Sequence, residues 1–336
     1  MGPVAPVPCA PHAAQAYREP VRIDPFIVAI LGLAGLGIVL PAQGDALAVV
    51  SVLVQAGIVA LFFLYGARLS TAEVVHGLTA WRTHLVIIGA TFALFPLLGL
   101  TLTPLAPDLI SEQLLSALLF LCVVPSTVQS AVAFTSIAGG DRAIAVVAAS
   151  TSSLLGVFLT PLLVSVMLSA DAQIDASAIV RIVGLLLLPF LAGQVARRWI
   201  GGWMDSHERG LRRFDRSTVL LVVYAGFSRG TNADVWDVLD WTDAVVVAAV
   251  CVGLLLIASL VCWAAGRPFG RGPAIAIYFC GTNKSLAAGL PMASVLFSAE
   301  TFPLMILPLM LYHQLQLIVG SLIATRLSGH GRRVRS

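Results

Sequence analysis

Ten apolar stretches dominate this chain, at 25–41, 46–66, 83–104, 113–137, 142–168, 177–196, 217–232, 243–265, 272–298 and 302–326. A helix needs roughly 20 apolar residues to cross about 30 Å of hydrocarbon. All but the short seventh stretch are close to that length or beyond it. The charges between them test the count. If the crossings alternate from a cytoplasmic N-terminus, then of the 20 Lys and Arg residues only Arg181 and Arg229 fall outside, and Lys284 falls inside a span. The outer segments instead collect acids, among them Asp45, Asp108, Glu112, Asp171, Asp234, Asp240 and Glu300. Basic residues retained on the cytoplasmic side set membrane orientation. One helix more or fewer would scramble this asymmetry, so ten crossings with both termini in the cytoplasm are expected, in an inner or plasma membrane.

Composition agrees. Of the 336 residues, 58% are hydrophobic and 11% charged, whereas a soluble domain carries roughly 25% charged residues. A net charge of +3 spread over short inter-span clusters is no nucleic-acid footprint. The five cysteines, Cys9, Cys122, Cys251, Cys262 and Cys280, include no CxxC pair and read as small apolar packers. Residues 1–22 lack a basic start followed by an apolar run and read as a disordered tail rather than a signal peptide. The basic stretch 197–216 reads as a cytoplasmic loop touching anionic lipid, and 327–336 as a basic tail.

Two spans differ from the plain Leu/Val/Ala pattern. The fourth holds Pro125-Ser126-Thr127-Val128-Gln129-Ser130, and the ninth holds Gly281-Thr282-Asn283-Lys284-Ser285. Pro125 has no N–H and clashes with the preceding turn, so it breaks the helix. Gly281 permits unusual backbone angles and marks the second expected break. Carbonyls freed by a break cannot stay unpaired in lipid, so they must meet protein, water or a cation. The two segments are the fourth of spans one to five and the fourth of spans six to ten. Five crossings invert the second half, and broken helices at matching places of inverted halves mark a transporter's midplane site.

Lys284 is the only lysine. At mid-span it costs roughly 2.5–3.5 kcal/mol on insertion scales, and its i±4 neighbours, Cys280 and Ala288, bring no acid. It is expected to face the interior. Ser150, Thr151, Ser152 and Ser153 in the fifth span cover every face of a helix, so at least one points inward. Tyr312, His313, Gln314 and Gln316 in the tenth span, and Gln55 in the second, offer further polar surface.

These residues carry a resemblance. PSTVQSAVAFTSIAGGD (Pro125–Asp141), SLLGVFLTPLL (Ser153–Leu163), FCGTNKSLAAGLPMA (Phe279–Ala293), LYHQLQLIVGSLIA (Leu311–Ala324) and FFLYGARLS (Phe62–Ser70) resemble the SBF-like branch of the bile acid:sodium symporter family. The resemblance implies an all-α protein of two inverted five-helix repeats, 23–168 and 169–326. Helices one, two, six and seven would form a panel and the others a core, with the broken fourth and ninth helices crossing in it. It also implies transport of an organic anion coupled to sodium. Sodium would be held near Ser126, Thr127, Gln129, Ser130, Ser150, Thr151, Ser153, Thr282, Asn283, Lys284 and Ser285. Sodium-coupled relatives carry a glutamate where Phe279 stands here, and a neutral amide where Lys284 stands.

The expected function is therefore secondary active symport of a small organic anion by alternating access, driven by a sodium gradient. Thr135, Lys284, His313, Gln314 and Gln55 are the expected substrate contacts, with Lys284 and half-helix N-termini attracting the anion. A second expectation is a proton-coupled or uncoupled carrier in which the Lys284 ammonium replaces a sodium. A third is a non-transporting membrane regulator of ion handling. No P-loop, HExxH or pair of intramembrane acids points to an enzyme or an ATP-driven pump, and no cofactor is expected beyond sodium.

Overall fold

A computed structural model describes residues 25–68, 80–168, 183–232, 240–298 and 300–333. The expected 1–22 tail, Arg181 and the outer acids Asp171 and Asp234 lie outside these residues. Thirteen α-helices are present among them: α1 (Pro25–Val39), α2 (Gly44–Arg68), α3 (Trp81–Gly89), α4 (Phe95–Leu100), α5 (Glu112–Val123), α6 (Val128–Ile137), α7 (Arg142–Met167), α8 (Leu188–Ser206), α9 (Glu208–Asn232), α10 (Trp241–Gly266), α11 (Arg271–Thr282), α12 (Leu286–Leu296) and α13 (Phe302–Arg333). Each of the ten apolar stretches holds at least one of them. A π-helical turn, Ala90–Leu94, joins α3 to α4, and another, Val183–Leu187, leads into α8.

Among the described residues, five segments are long and apolar enough to cross a membrane: α2, Trp81–Leu105 through the π turn, α7, Trp241–Phe269, and Phe302–Ser328. The pair α5–α6, bent by 57° at its break, makes a sixth. The described residues are thus all-helical in their regular structure and form a polytopic membrane protein. Its outer surface fits that solvent, with Val39 77%, Leu260 72% and Val166 70% exposed where a soluble protein would bury them.

Polar residues punctuate the apolar chain where helices begin. Ser111 Oγ accepts from Leu114 N–H (3.3 Å) to start α5, and Asp141 Oδ1 accepts from Ile144 N–H (3.0 Å) to start α7. Ser285 Oγ does the same for α12, accepting from Ala288 N–H (3.1 Å). Each satisfies a donor that the first turn leaves without a partner.

The helices pack in two sets. In one, α8 lies along α2, and α9 lies against both α1 and α2. Glycine permits the α2–α8 contact: a Cβ at Gly66 would sit 2.0 Å from Phe190 O, and one at Gly193 would sit 1.9 Å from Phe63 O. Without a hydrophobic force between helices in lipid, such close backbone approach is what holds them. In the other set, α5, α6, α7, α10, α11 and α13 pack on one another, and α12 lies on α13. The sets meet mainly where α9 touches α12 and α13.

Two expectations change. The stretch 197–216 is not a loop: α8 runs to Ser206 and α9 starts at Glu208. Charge ends the apolar span, but the helix continues into the polar region, where the Arg212–Glu208 pair at i,i+4 supports it. Likewise α13 runs on to Arg333, through most of the expected tail.

Candidate functional site

The first break opens where the sequence reading puts it. α5 ends at Val123, Val124 is extended (ψ 143°) ahead of Pro125, and α6 begins at Val128. The residue before a proline is driven out of the helical region, and proline itself cannot continue the ladder. The second break does not fall at Gly281. Gly281 lies inside α11, and the extended residues are Asn283 (ψ 141°) and Ser285 (ψ 107°) around Lys284. Gly281 is instead a contact point: a Cβ there would lie 2.8 Å from Cys262 Sγ and 3.2 Å from Ala90 Cβ. Packing, not backbone freedom, explains this glycine.

The two breaks meet and close each other. The helix end of α5 and the residues after it expose five successive carbonyls, and each has a donor. Cys122 O accepts from Lys284 Nζ (2.9 Å), Val123 O from Thr160 Oγ1 (2.8 Å), and Val124 O from Lys284 Nζ (2.9 Å). Pro125 O accepts from Ser285 N–H (2.8 Å), and Ser126 O from Ser153 Oγ (3.4 Å). Ser126 is committed throughout, since its N–H donates to Ser152 Oγ (3.0 Å) and its hydroxyl donates to Cys280 O (2.6 Å). Buried main-chain polar groups demand this accounting, because an unpaired one costs about 1–3 kcal/mol.

The third acceptor of Lys284 Nζ is Thr91 O, at 3.0 Å. Its availability follows from the π turn. In an α-helix Thr91 O would accept from Phe95 N–H, but that group donates to Ala90 O. The next residue is Pro96, which has no N–H. The carbonyl is thus left without a main-chain donor, and the lysine supplies one. The Phe95 ring adds its negative face, with Nζ 4.1 Å from the centroid. Lys284 is fully buried. The ion pairs among the described residues, Arg68–Asp215 and Arg212–Glu208, do not include it. Carbonyl dipoles, concentrated at the C-terminal end of α5, take the place of a carboxylate.

The main chain of Lys284 is held as firmly as its head. Its N–H donates to Gln316 Oε1 (2.7 Å), and its carbonyl accepts from Gln316 Nε2 (2.8 Å). Tyr312 OH donates to Thr282 O (2.8 Å), and His313 Nδ1 lies 3.3 Å from Lys284 O. Asn283 Nδ2 donates to Ser130 Oγ (3.3 Å), tying the second break to α6. Thr282 Oγ1 donates back to Tyr278 O within its own helix (2.7 Å).

Beside this crossing lies a cavity of about 410 Å³ between the two helix sets. One wall carries Phe26, Tyr65, Arg68, Phe190, Arg212, Asp215 and Arg216; the other carries Thr127, Gln129, Ser150, Ser153, Ser285 and Met292. Arg68 pairs with Asp215. Burial pushes the Asp215 carboxyl above the usual carboxylate range, although Arg68 pulls it down.

Of the residues singled out in the sequence, Thr127, Gln129, Ser150, Ser153 and Ser285 therefore line the cavity. Ser126, Ser130, Thr151, Thr282, Asn283 and Lys284 do not. The expected substrate contacts Thr135, Lys284, His313, Gln314 and Gln55 are all absent from its walls. Lys284 spends all three donors on carbonyls, Gln55 is exposed on α2, and Thr135 Oγ1 and Gln314 Nε2 are buried without a partner. Thr91, Phe95, Thr160 and the carbonyls of α5 escaped sequence reading, because main-chain acceptors carry no residue-type signal. The π turn had one faint clue, Pro96. Gly226-Phe227-Ser228-Arg229-Gly230 has the G-x-S-x-G spacing of a hydrolase nucleophile, but it lies inside continuous α9, without the strand-to-helix turn that exposes such a serine.

Broken helices that close on one another inside an apolar bundle, beside a cavity of mixed polarity, define the class: an integral membrane transporter. The SBF-like CPA transporter family matches residues 24–329. An uncharacterized protein of Pseudomonas aeruginosa is 43% identical over 307 residues, covering 90% of this chain and 92% of that one. The symporter-named YfeH of Escherichia coli is 40% identical with the same coverage. Sodium/bile acid cotransporter 7 of Rattus norvegicus is 30% identical over 315 residues, 91% of this chain and 92% of its own. The chain belongs to the SBF-like CPA transporter family.

Proposed function

We propose that the protein is a secondary active transporter that moves a small organic anion with a sodium gradient, by alternating access across the plasma membrane, with both termini in the cytoplasm. In this reading the ten apolar stretches are ten crossings in two inverted five-helix repeats. The set α1, α2, α8 and α9 is the panel, the remaining helices are the core, and α5–α6 and α11–α12 are its crossed, broken elements. The observation that carries the proposal is the cavity between the two sets, walled on the core side by hydroxyls from both breaks, Thr127 and Ser285. The two ends of the molecule differ in the way alternating access requires. The cavity lies toward Arg212 and Arg216, on the expected cytoplasmic side. Toward the opposite end, α9 presses on α13 so closely that a Cβ at Gly226 would lie 2.0 Å from the Phe302 ring.

The walls favour an amphipathic anion, with Phe26, Val157, Phe190 and Met292 for its apolar body and an excess of positive charge for its acidic group, since Arg68, Arg212 and Arg216 outnumber Asp215 and Glu208, the carboxylates that pair with Arg68 and Arg212. The names of the relatives, a symporter and a sodium/bile acid cotransporter, support the same class. For sodium, the hydroxyl oxygens of Thr127, Ser130 and Ser150 with the Asn283 amide oxygen are the better candidates, because Thr127 and Ser150 face the cavity and Asn283 ties Ser130 to the second break.

The test is uptake of radiolabelled amphipathic carboxylates and sulfonates into liposomes bearing the purified protein, with an imposed sodium gradient. Uptake above that in potassium, lost in Thr127→Ala, is expected. No transport under a sodium gradient, a proton gradient or neither would overturn the proposal and favour a non-transporting regulator.

A further inference from the structure

We infer that Lys284 is a built-in cation: its ammonium fills a monovalent-cation site formed by Thr91, Cys122 and Val124 carbonyls, so removing the side chain opens that site to a free cation. The coordination set is the first argument. Three oxygens at 2.9–3.0 Å and one aromatic face at 4.1 Å surround Nζ. All four are electron-rich, which is the surrounding a cation seeks and an anion avoids.

The origin of the oxygens is the second argument. None is free by accident of a surface loop. Cys122 and Val124 are freed by the end of α5 and the proline behind it, and Thr91 by the π turn followed by Pro96. Two unrelated interruptions in different helices deliver their orphaned carbonyls to one point. Such a cluster in lipid must hold a cation or a donor, and here the chain carries its own. The third argument is fixity. The ammonium is fully buried, uses every donor it has, and hangs from a main chain clamped on both sides by Gln316. It is therefore a tethered occupant and not an exchanging ion, and this point in the fold contributes no ion requirement of its own.

The inference goes beyond the transport reading and is tested without it. The full-length protein, purified in detergent, is melted in choline, sodium or methylammonium chloride at equal ionic strength. Methylammonium is the excised lysine head, and sodium is the smallest common competitor. In choline, Lys284→Ala should melt several degrees below wild type. It should recover saturably with methylammonium, sodium or both, because a ligand bound only to the folded state raises the melting temperature. Wild type and Lys284→Arg should lack the methylammonium gain, and any sodium gain they show, which belongs to the transport site, should be smaller than that of Lys284→Ala. An alanine variant that gains no more than wild type from either cation would overturn the inference. If Lys284→Ala does not accumulate, Lys284→Gln, which keeps a polar side chain without the charge, must show the cation-dependent gain. Loss of both neutral variants while Lys284→Arg accumulates would support a charge requirement. Loss of all three would refute it, since the position would then tolerate no change whatever the charge.

Discussion

The two breaks are opposites. The first, between α5 and α6, is a run of acceptors: five successive carbonyls from Cys122 to Ser126, none usable by its own helix. The second, between α11 and α12, is a source of donors: the Lys284 ammonium and the Ser285 N–H fill three of those five. Neither could sit in hydrocarbon alone. The difference teaches that the breaks are one unit made from two distant segments. The first needs the second for its satisfaction, whereas the second leans on α13 through Gln316.

This asymmetry ranks the effects of substitution. Lys284→Ala should be the most damaging, because it strands three buried carbonyls at once. At about 1–3 kcal/mol per unpaired group, a loss of several kcal/mol of stability is expected in choline-based unfolding experiments. Little or no loss would mean that water or another donor already serves the first break. Gln316→Leu comes next. It removes the clamp on Lys284 from both sides while leaving the ammonium in place, and should cost roughly 2–4 kcal/mol by the same reasoning. If Gln316→Leu proves worse than Lys284→Ala, the dependence runs the other way and α13 is the organising element.

Thr160→Val keeps shape and strands only Val123 O, so about 1–2 kcal/mol is expected, read from the same unfolding curves. A neutral result would show that this carbonyl is served by solvent and that the acceptor run is shorter than five. Ser130→Ala is expected to change stability least, under about 1 kcal/mol, since its contact to Asn283 is long at 3.3 Å. Its value lies in function: any sodium-specific melting shift of the wild type should vanish in it. A shift that persists would move the sodium proposal away from the α6–Asn283 neighbourhood.

Much of the frame was legible beforehand. Apolar run length and the placement of arginine marked a membrane protein, because bilayer thickness and the translocation of charge act directly on sequence. Pro125 announced the first break through its missing N–H. Lys284 announced a special site through the cost of placing it there. Other inferences followed residue type too closely. Gly281 reads as the second break because glycine permits unusual backbone angles, but it serves to let Cys262 and Ala90 approach. His313 and Gln314 were read as substrate contacts because they are polar, yet neither reaches the cavity. The basic stretch 197–216 was read as a loop because it is polar, yet helices do not end where apolarity does.

The sequence by itself determined the solvent, the succession of apolar segments, the position of one break and the presence of a single buried positive charge. All of these depend on side-chain chemistry and on short-range backbone limits. Only the tertiary structure decided what that charge touches. Its partners are the carbonyls of Thr91, Cys122 and Val124, which every residue type possesses alike, and which became acceptors only when a π turn and a helix end, far apart in the chain, were packed around one ammonium.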